Sequence, residues 1–309
     1  MSKILCLGGA GYIGSVLVPC LLASGHEVTV LDNFMYGQAS LNHICMHHNF
    51  HISRGDIREP STMIPLMREA EVIIPLAAYV GAPLCDKDPI GAKTINYDAV
   101  LMMLKNASKE QHIIMPTTNS AYGTSDNICT EESPLKPIST YAQHKMQIEE
   151  RLMQHENAIS LRLATVFGMS PRMRIDLLMN DLTYRAVNDR AVILFESHFK
   201  RNFVHVMDVA GAFIHTIDKF DKMKGQVYNF GLSAANLSKK ELCERIKLQL
   251  PEFTFLDAPI GTDIDQRNYV VSNAKIEATG FKATISLEEG IKELIKGFKM
   301  LRNTRYGNI

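Results

Sequence analysis

The chain has 309 residues, with 33 Lys and Arg against 33 Asp and Glu. That balance excludes the simplest nucleic-acid reading, which wants a basic excess, and 46% hydrophobic with 21% charged residues excludes disorder as a global description. No uninterrupted apolar run approaches the roughly 18 residues of a membrane span: the best candidate, residues 72–84, is broken by Pro75, Gly81 and Pro83.

At about 150 residues per domain the length suits two lobes. Over the first half, short apolar runs alternate with segments of helical period, the pattern of an α/β fold with a parallel sheet. Strands are predicted near Ile4 to Leu7, Glu27 to Leu31, Phe50 to Ser53, Glu71 to Pro75, His112 to Met115 and Ser160 to Ala164. Such strands with helices between them make a Rossmann-type, doubly wound core. Beyond Gly168 the rhythm changes: a helix is predicted from Ile175 to Val187, short strands around Val192 and Val227, and helices near Val209, Lys239 and Leu287. Residues 1–170 are therefore expected to form the doubly wound domain and 171–309 a smaller lobe, interleaved around one cleft.

The first strand runs straight into Gly8-Gly9-Ala10-Gly11-Tyr12-Ile13-Gly14, and a helical pattern from Tyr12 to Leu22 follows at once. Glycines at 8, 11 and 14 permit a tight turn and close approach of backbone to a pyrophosphate, which then meets the positive end of the helix. Asp32 closes the second strand 18 residues after Gly14, the place from which a carboxylate accepts hydrogen bonds from an adenosine ribose. The residues after it, Asn33 to Gln38, carry no Arg or Lys to neutralise a 2′-phosphate, so NAD is expected rather than NADP. Asp56, with Ile57 beside it, follows the third strand and is placed to reach the adenine.

Two further signals come together. Tyr141 and Lys145 are four apart in a helical stretch, hence on one face, and Thr117-Thr118-Asn119-Ser120-Ala121-Tyr122-Gly123 follows the fifth strand. With the glycine loop, Leu76-Ala77-Ala78, Leu161-Arg162, Val166-Phe167-Gly168, residues 201–210, Arg267-Asn268-Tyr269 and Asn273-Ala274-Lys275, they resemble the extended short-chain dehydrogenase/reductase family that acts on nucleotide sugars. The resemblance implies a catalytic Thr118, Tyr141 and Lys145. A phenol with an ordinary pKa of about 10 is a poor base at neutral pH, and a nearby ammonium together with a positive nicotinamide ring favours the phenolate. The resemblance also puts Leu76, Ala77 and Ala78 on the cofactor. Arg201 and Arg267, with Arg172 and Arg174 behind them, are expected at the substrate diphosphate, and Asn180, Asn119 and Ser120 at the substrate.

Relatives that eliminate water carry Asp-Glu directly after the catalytic Thr, where this chain has Asn119 and Ser120. Neither is a carboxyl able to serve as the acid or base of 4,6-dehydration, so hydride transfer at one carbinol, at C4, is expected. A released ketone makes a dehydrogenase; return of hydride to the other face makes an epimerase. Residues 78–89 and 162–174 resemble a capsule subgroup that oxidises C4 of GDP-D-glycero-α-D-manno-heptose. That resemblance implies a GDP-sugar substrate and a keto-acid oxidant such as 2-oxoglutarate for NADH. A non-catalytic NAD sensor is the remote alternative.

The N-terminus reaches glycines within eight residues, leaving no room for a secretory h-region, and the six cysteines include no CxxC pair. A cytoplasmic protein with free thiols is expected. His43, Cys45, His47, His48 and His51 are dense in ligand types, yet no carboxylate or cysteine pair completes a metal site. Cys85 reads as a small thiol near substrate, and Asp88-Pro89 as a helix N-cap. Residues 90–107 and 140–154 resemble the two helices through which family members form homodimers.

Overall fold

The alternating apolar runs become one parallel sheet. In the computed structural model, which describes residues 1–261 and 266–301, its strands are β1 (Lys3–Leu7), β2 (Glu27–Asp32), β3 (Phe50–Arg54), β4 (Val72–Pro75), β5 (His112–Thr118), β6 (Ala158–Leu163) and β7 (Gln226–Phe230). They lie in the order β7-β6-β5-β4-β1-β2-β3, every neighbouring pair parallel. This is the α/β, Rossmann-type doubly wound arrangement, with its reversal of strand order between β1 and β4.

Side chains alternate across the sheet into two cores. Ile4, Cys6, Val28 and Val30 pack under Leu17 and Leu21 of the helix Gly14–Ala23 and under Val209 and Phe213 of the helix Val206–Asp218. Leu5, Leu7, Ile73 and Met115 meet the opposite layer, formed by the helices Pro60–Glu69, Ala99–Asn106 and Thr140–Leu152. Burial on both faces explains why β4 is a continuous apolar run; β6 is buried along its whole length too, but Ser160 and Arg162 interrupt its apolar residues. Asp88 does cap a helix: its Oδ1 accepts from Gly91 N–H at 2.8 Å, with Pro89 in the first turn of Pro89–Lys93.

Beyond β6 the chain leaves the sheet and builds a lobe. Thr165–Phe167, Lys200–His205 and Asn236–Ser238 form a three-stranded sheet; Ala191–Leu194 pairs with Thr254–Asp257, and Thr124–Cys129 with Asn268–Val271. The helices Leu178–Asn188, Lys239–Gln249 and Leu287–Met300 cover it. The first of these begins three residues later than its periodicity suggested, because Leu177 is extended.

One assignment is corrected. The strand around Val227, read as part of the lobe, is β7, in register with β6 from Gln226 opposite Ile159 to Phe230 opposite Leu163. The boundary expected at residue 170 therefore cuts through the segments that build one sheet. Periodicity identifies a strand without identifying its neighbour, and β6, buried on both faces, needed a partner on its open side.

The glycine loop is fixed by close approach. Gly8 has φ +78°, and a Cβ there would lie 2.6 Å from the backbone of Ala77. Gly25 has a similar φ of +83° with nothing within 4 Å. The pair separates backbone strain from steric exclusion: Gly25→Ala is expected to lower unfolding free energy by about 1 kcal/mol, and Gly8→Ala by about 2–4 kcal/mol. Urea denaturation measures both, and equal losses would contradict the packing account.

Candidate active site

A cleft of about 1060 Å³ opens at the C-terminal ends of β1, β4 and β5, between sheet and lobe. It exceeds the roughly 300–1,000 Å³ of a typical single small-molecule site. Bordering it are Gly8, Gly11, Tyr12, Ile13 and Gly14, then Asp32 with Asn33, Asp56 with Ile57, and the run Leu76, Ala77 and Ala78. A Cβ on Gly14 would lie 2.4 Å from Gly9 O, so only glycine lets the loop turn into its helix. No side chain caps the helix Gly14–Ala23; Ser15 N–H donates to Gly11 O and the Val16 and Leu17 N–H groups to Ile13 O, so the positive end of the helix faces the cleft at the glycine loop before it. These features fit a dinucleotide.

Asp32 is buried at the end of β2. Its Oδ2 accepts from Ala10 N–H at 2.9 Å and its Oδ1 from Phe34 N–H at 2.8 Å. Burial pushes its pKa up, while the two N–H groups and the Arg172 guanidinium pull it down. Asp56 is held differently: Arg58 Nη2 and Nε donate to it at 2.7 and 2.9 Å, and this guanidinium holds its carboxyl below the usual range. Arg58, distant from Asp32 in sequence, lay outside the sequence reading of this end of the cleft.

Thr118 is the last residue of β5, two residues beyond Pro116, and Tyr141 and Lys145 project from the first turns of Thr140–Leu152, capped by Ser139. All three border the cleft. Thr118 Oγ1 accepts from Ser120 N–H at 3.1 Å, which leaves its own proton to donate. Lys145 is 4% exposed and donates to Pro116 O at 3.2 Å. Burial pushes its ammonium down to about 8, against a smaller upward pull from Cys85. Burial pushes the Tyr141 phenol up to about 12; Arg174 and Arg267 pull it down, and Cys85 adds a smaller upward push.

Beneath these groups lies a residue the sequence reading passed over. Glu149 continues the spacing of four after Tyr141 and Lys145, and its buried carboxylate forms a 2.6 Å ion pair with Arg162 of β6. Thr117 and Ser160 also donate to Glu149 Oε2, at 2.8 and 2.6 Å. Burial lowers the pKa of Arg162, but the Glu149 carboxylate outweighs it and the net shift is upward. The signal was a third residue at the same helical interval.

On the lobe side, Ser120, Arg174, Arg201 and Arg267 border the cleft. Arg267 Nη1 donates to Ser120 Oγ, and Arg174 pairs with Asp176 at 2.5 Å. Two expectations are corrected. Asn119 is fully buried outside the cleft lining, and neither of its side-chain polar atoms has a hydrogen-bond partner among the described residues; the turn Asn119–Tyr122 directs Ser120, not Asn119, to the cleft. Asn180 is also fully buried and serves the fold: its Oδ1 accepts from Gly168 N–H at 3.1 Å, and its Nδ2 donates to Arg174 O at 2.8 Å and Tyr12 Oη at 3.3 Å. A polar side chain on an inward helix face is consumed by the backbone it must satisfy. Arg172 borders the cleft beside Tyr36 and Asp32 and lies within electrostatic reach of Arg174.

The histidine-rich segment disperses. His43 sits in a 3₁₀ turn, His47 and His48 stack at 5.2 Å, and His51 faces Glu27 at 3.4 Å. Cys85 is fully buried and donates to Tyr79 O at 3.4 Å, its thiol pushed up to about 11 chiefly by burial.

Sheet topology, glycine loop and cleft together define a Rossmann-type dinucleotide-binding fold. Residues 4–231 match the model of the "NAD dependent epimerase/dehydratase family", and the chain belongs to that family; NAD is its cofactor. A putative UDP-glucose 4-epimerase of Methanocaldococcus jannaschii is 28% identical over 314 residues, covering 96% of this chain and 98% of the relative. UDP-glucuronic acid decarboxylase 1 of Danio rerio is 26% identical over 318 residues, covering 96% and 72%. The crystal structure of UDP-glucuronic acid 4-epimerase from Bacillus cereus, in complex with UDP-glucuronic acid and NAD, superposes with a TM-score of 0.84 at 23% identity, covering 97% and 100%. That likeness is one of fold. No helix among the described residues is long and apolar enough to cross a membrane.

Lys145 yields a stability prediction with a definite sign. Its pKa is lower folded than unfolded, so the unfolded chain binds more protons between about 8 and the ordinary value near 10.4, and stability rises with pH across that window. Below it the buried ammonium is a standing cost. Lys145→Met is expected to stabilise the ligand-free protein by about 1–3 kcal/mol at pH 7, the gain shrinking toward pH 10. Urea titrations at the two pH values test this; a variant less stable at pH 7 would refute it.

Proposed function

We propose that this enzyme oxidises C4 of a nucleotide-linked sugar and releases the ketone, with GDP-D-glycero-α-D-manno-heptose as the substrate, in the synthesis of a capsular or surface polysaccharide. The observation that carries the reaction is the convergence of Thr118, Tyr141 and Lys145 on one cleft wall, with no carboxyl at positions 119 and 120. The likeness of residues 78–89 and 162–174 to the GDP-heptose subgroup supports the substrate.

NAD, when bound, supplies the hydride acceptor and a positively charged ring beside the phenol. Thr118 O–H donates a hydrogen bond to the C4 oxygen and orients it, keeping its proton. Tyr141 takes the C4 hydroxyl proton as the C–H hydrogen leaves with its electron pair, so the carbinol becomes a carbonyl. Lys145, buried and held by Pro116 O, keeps a positive charge near the phenolate through neutral pH and holds the nicotinamide ribose. Gly8, Gly11, Tyr12, Ile13 and Gly14 seat the pyrophosphate, Asp32 and Asn33 the adenosine ribose, Asp56 and Ile57 the adenine, and Leu76 to Ala78 the nicotinamide half. Arg174, Arg201 and Arg267 bind the substrate diphosphate, and Ser120 positions the sugar. A keto acid such as 2-oxoglutarate takes the hydride back from NADH.

The second reading is a 4-epimerase, favoured by relatives such as the Methanocaldococcus jannaschii protein, in which the ketone stays bound and is reduced from its other face. The same proposal includes a homodimer through the helices that resemble the family's pairing surface, and a cytoplasmic location.

Mass spectrometry of the nucleotide sugar after incubation with GDP-heptose, GDP-mannose or a UDP-hexose, with and without 2-oxoglutarate, tests the reaction. Loss of two hydrogens from GDP-heptose, enhanced by the keto acid, is expected. Unchanged mass with altered stereochemistry establishes the epimerase, and loss of water overturns the reading of Asn119 and Ser120. Tyr141→Phe is expected to lower kcat by about 10²–10⁴-fold with NAD affinity retained; normal turnover would remove Tyr141 from the chemistry.

A further inference from the structure

The segment following Phe167 crosses beside the glycine loop, and its hydrogen bonds fix where Arg172 lies. Tyr12 O–H donates to Gly168 O at 2.7 Å, Ser170 Oγ donates to Tyr12 O at 2.7 Å, and Arg172 N–H donates to Ser15 Oγ at 3.3 Å. Tyr12 and Ser15 belong to the loop and first turn whose N–H groups meet phosphates in folds of this kind. The Arg172 guanidinium carbon stands 4.2 Å from the centroid of the Tyr36 ring, and the residue is only 4% exposed. Tyr36 follows Asp32 by four residues, and all three border the same end of the cleft.

We propose that Arg172 is a cofactor-binding residue, not a substrate-binding one: stacked on Tyr36 beside Asp32, it binds the ribose and phosphate oxygens of the adenosine half of NAD. This rests on the NAD dependence of the family and not on the reaction proposed above. Arg172 Nη1 donates to Met173 O, and a guanidinium carries further N–H donors in a planar fork, the arrangement that pairs with phosphate and diol oxygens. Its charge also acts on the right neighbour, since Arg172 favours the ionised form of the Asp32 carboxylate that burial opposes. Arg174, two residues on, also acts on Tyr36, but it reaches further along the cleft and, together with Arg267, is one of the charges that the Tyr141 phenol feels, which Arg172 is not. The Arg-Met-Arg run thus serves two ligands, the first arginine the cofactor and the second the substrate.

Calorimetry on the ligand-free protein, with NAD and separately with ADP-ribose as probes, tests the assignment without any turnover. Arg172→Met is expected to weaken both by the same factor, about tenfold or more, while GDP and UDP binding to the NAD-saturated protein changes less than twofold. Unchanged affinity for NAD and ADP-ribose, with weaker GDP or UDP binding, would return Arg172 to the substrate and overturn the proposal. Should that variant fail to fold, Tyr36→Leu removes the platform and leaves the buried segment in place. It is expected to weaken ADP-ribose by about threefold, and unchanged ADP-ribose affinity there would equally overturn the clamp. Absence of activity on every nucleotide sugar would sink the proposed reaction and leave this assignment standing or falling on the ADP-ribose result.

Discussion

The buried carboxylate of Glu149 is the constraint on which the site depends. It carries charge in a part of the core that excludes water, and it is tolerable only because Arg162, Thr117 and Ser160 all donate to it. Removing one partner of such a pair typically costs about 3–5 kcal/mol, since the other charge is left buried alone. Thr140–Leu152 therefore has one rotation and one register against β5 and β6. Lys145 and Tyr141, one and two turns earlier on the same face, inherit that setting, and Thr118 is the direct neighbour of Thr117. A polar cluster buried beneath the cleft, with only Thr117 of it reaching the lining, thus fixes the relative positions of the groups that border the cleft.

A second set of bonds ties the lobe to the sheet. Gly168 accepts from Tyr12 and donates to Asn180, Ser170 shares its hydroxyl with Ser15, and Met169 N–H donates to Glu293 at 3.1 Å. Glu293, on Leu287–Met300, also meets His205 Nε2 at 2.6 Å. The glycine loop, the start of the lobe and the last described helix therefore form one hydrogen-bonded seam. The two sides of the cleft are not independently hinged bodies, and the arginines of residues 172–174 are positioned by contacts to the cofactor loop itself.

What was legible in the sequence follows from how local its cause was. The glycine loop could be read because its backbone conformation and its crowding against Ala77 admit no other residue. Strand positions could be read from apolar runs, although β5 extends past Met115 through Pro116, Thr117 and Thr118, where polarity hid it. The fates of Asn180 and Arg172 could not be read, since each is decided by partners far away in sequence: Tyr12 lies 168 residues from Asn180. The charge comparison between NAD and NADP counted only cations adjacent to Asp32, whereas folding brings Arg172 beside Asp32 and sets Arg58 on Asp56. Glu149 was available as a third member of the spacing of four, but spacing alone does not say which face is dry.

The origin of β7 bears on how the chain reaches this state during synthesis. A nascent chain that has emerged only to residue 170 holds six strands and leaves the outer edge of β6 unpaired, and that strand is buried along its whole length in the finished sheet. The ribosome must deliver some sixty more residues, the lobe segments and the sheet-covering helix Val206–Asp218 among them, before Gln226–Phe230 arrives to close it. Folding in amino-to-carboxyl order would therefore hold an exposed apolar strand open for several seconds at ordinary elongation rates of about 5–20 residues per second. A layout that interleaves lobe and sheet for the sake of the cleft makes the newborn polypeptide a natural client for chaperones that shield unpaired edges.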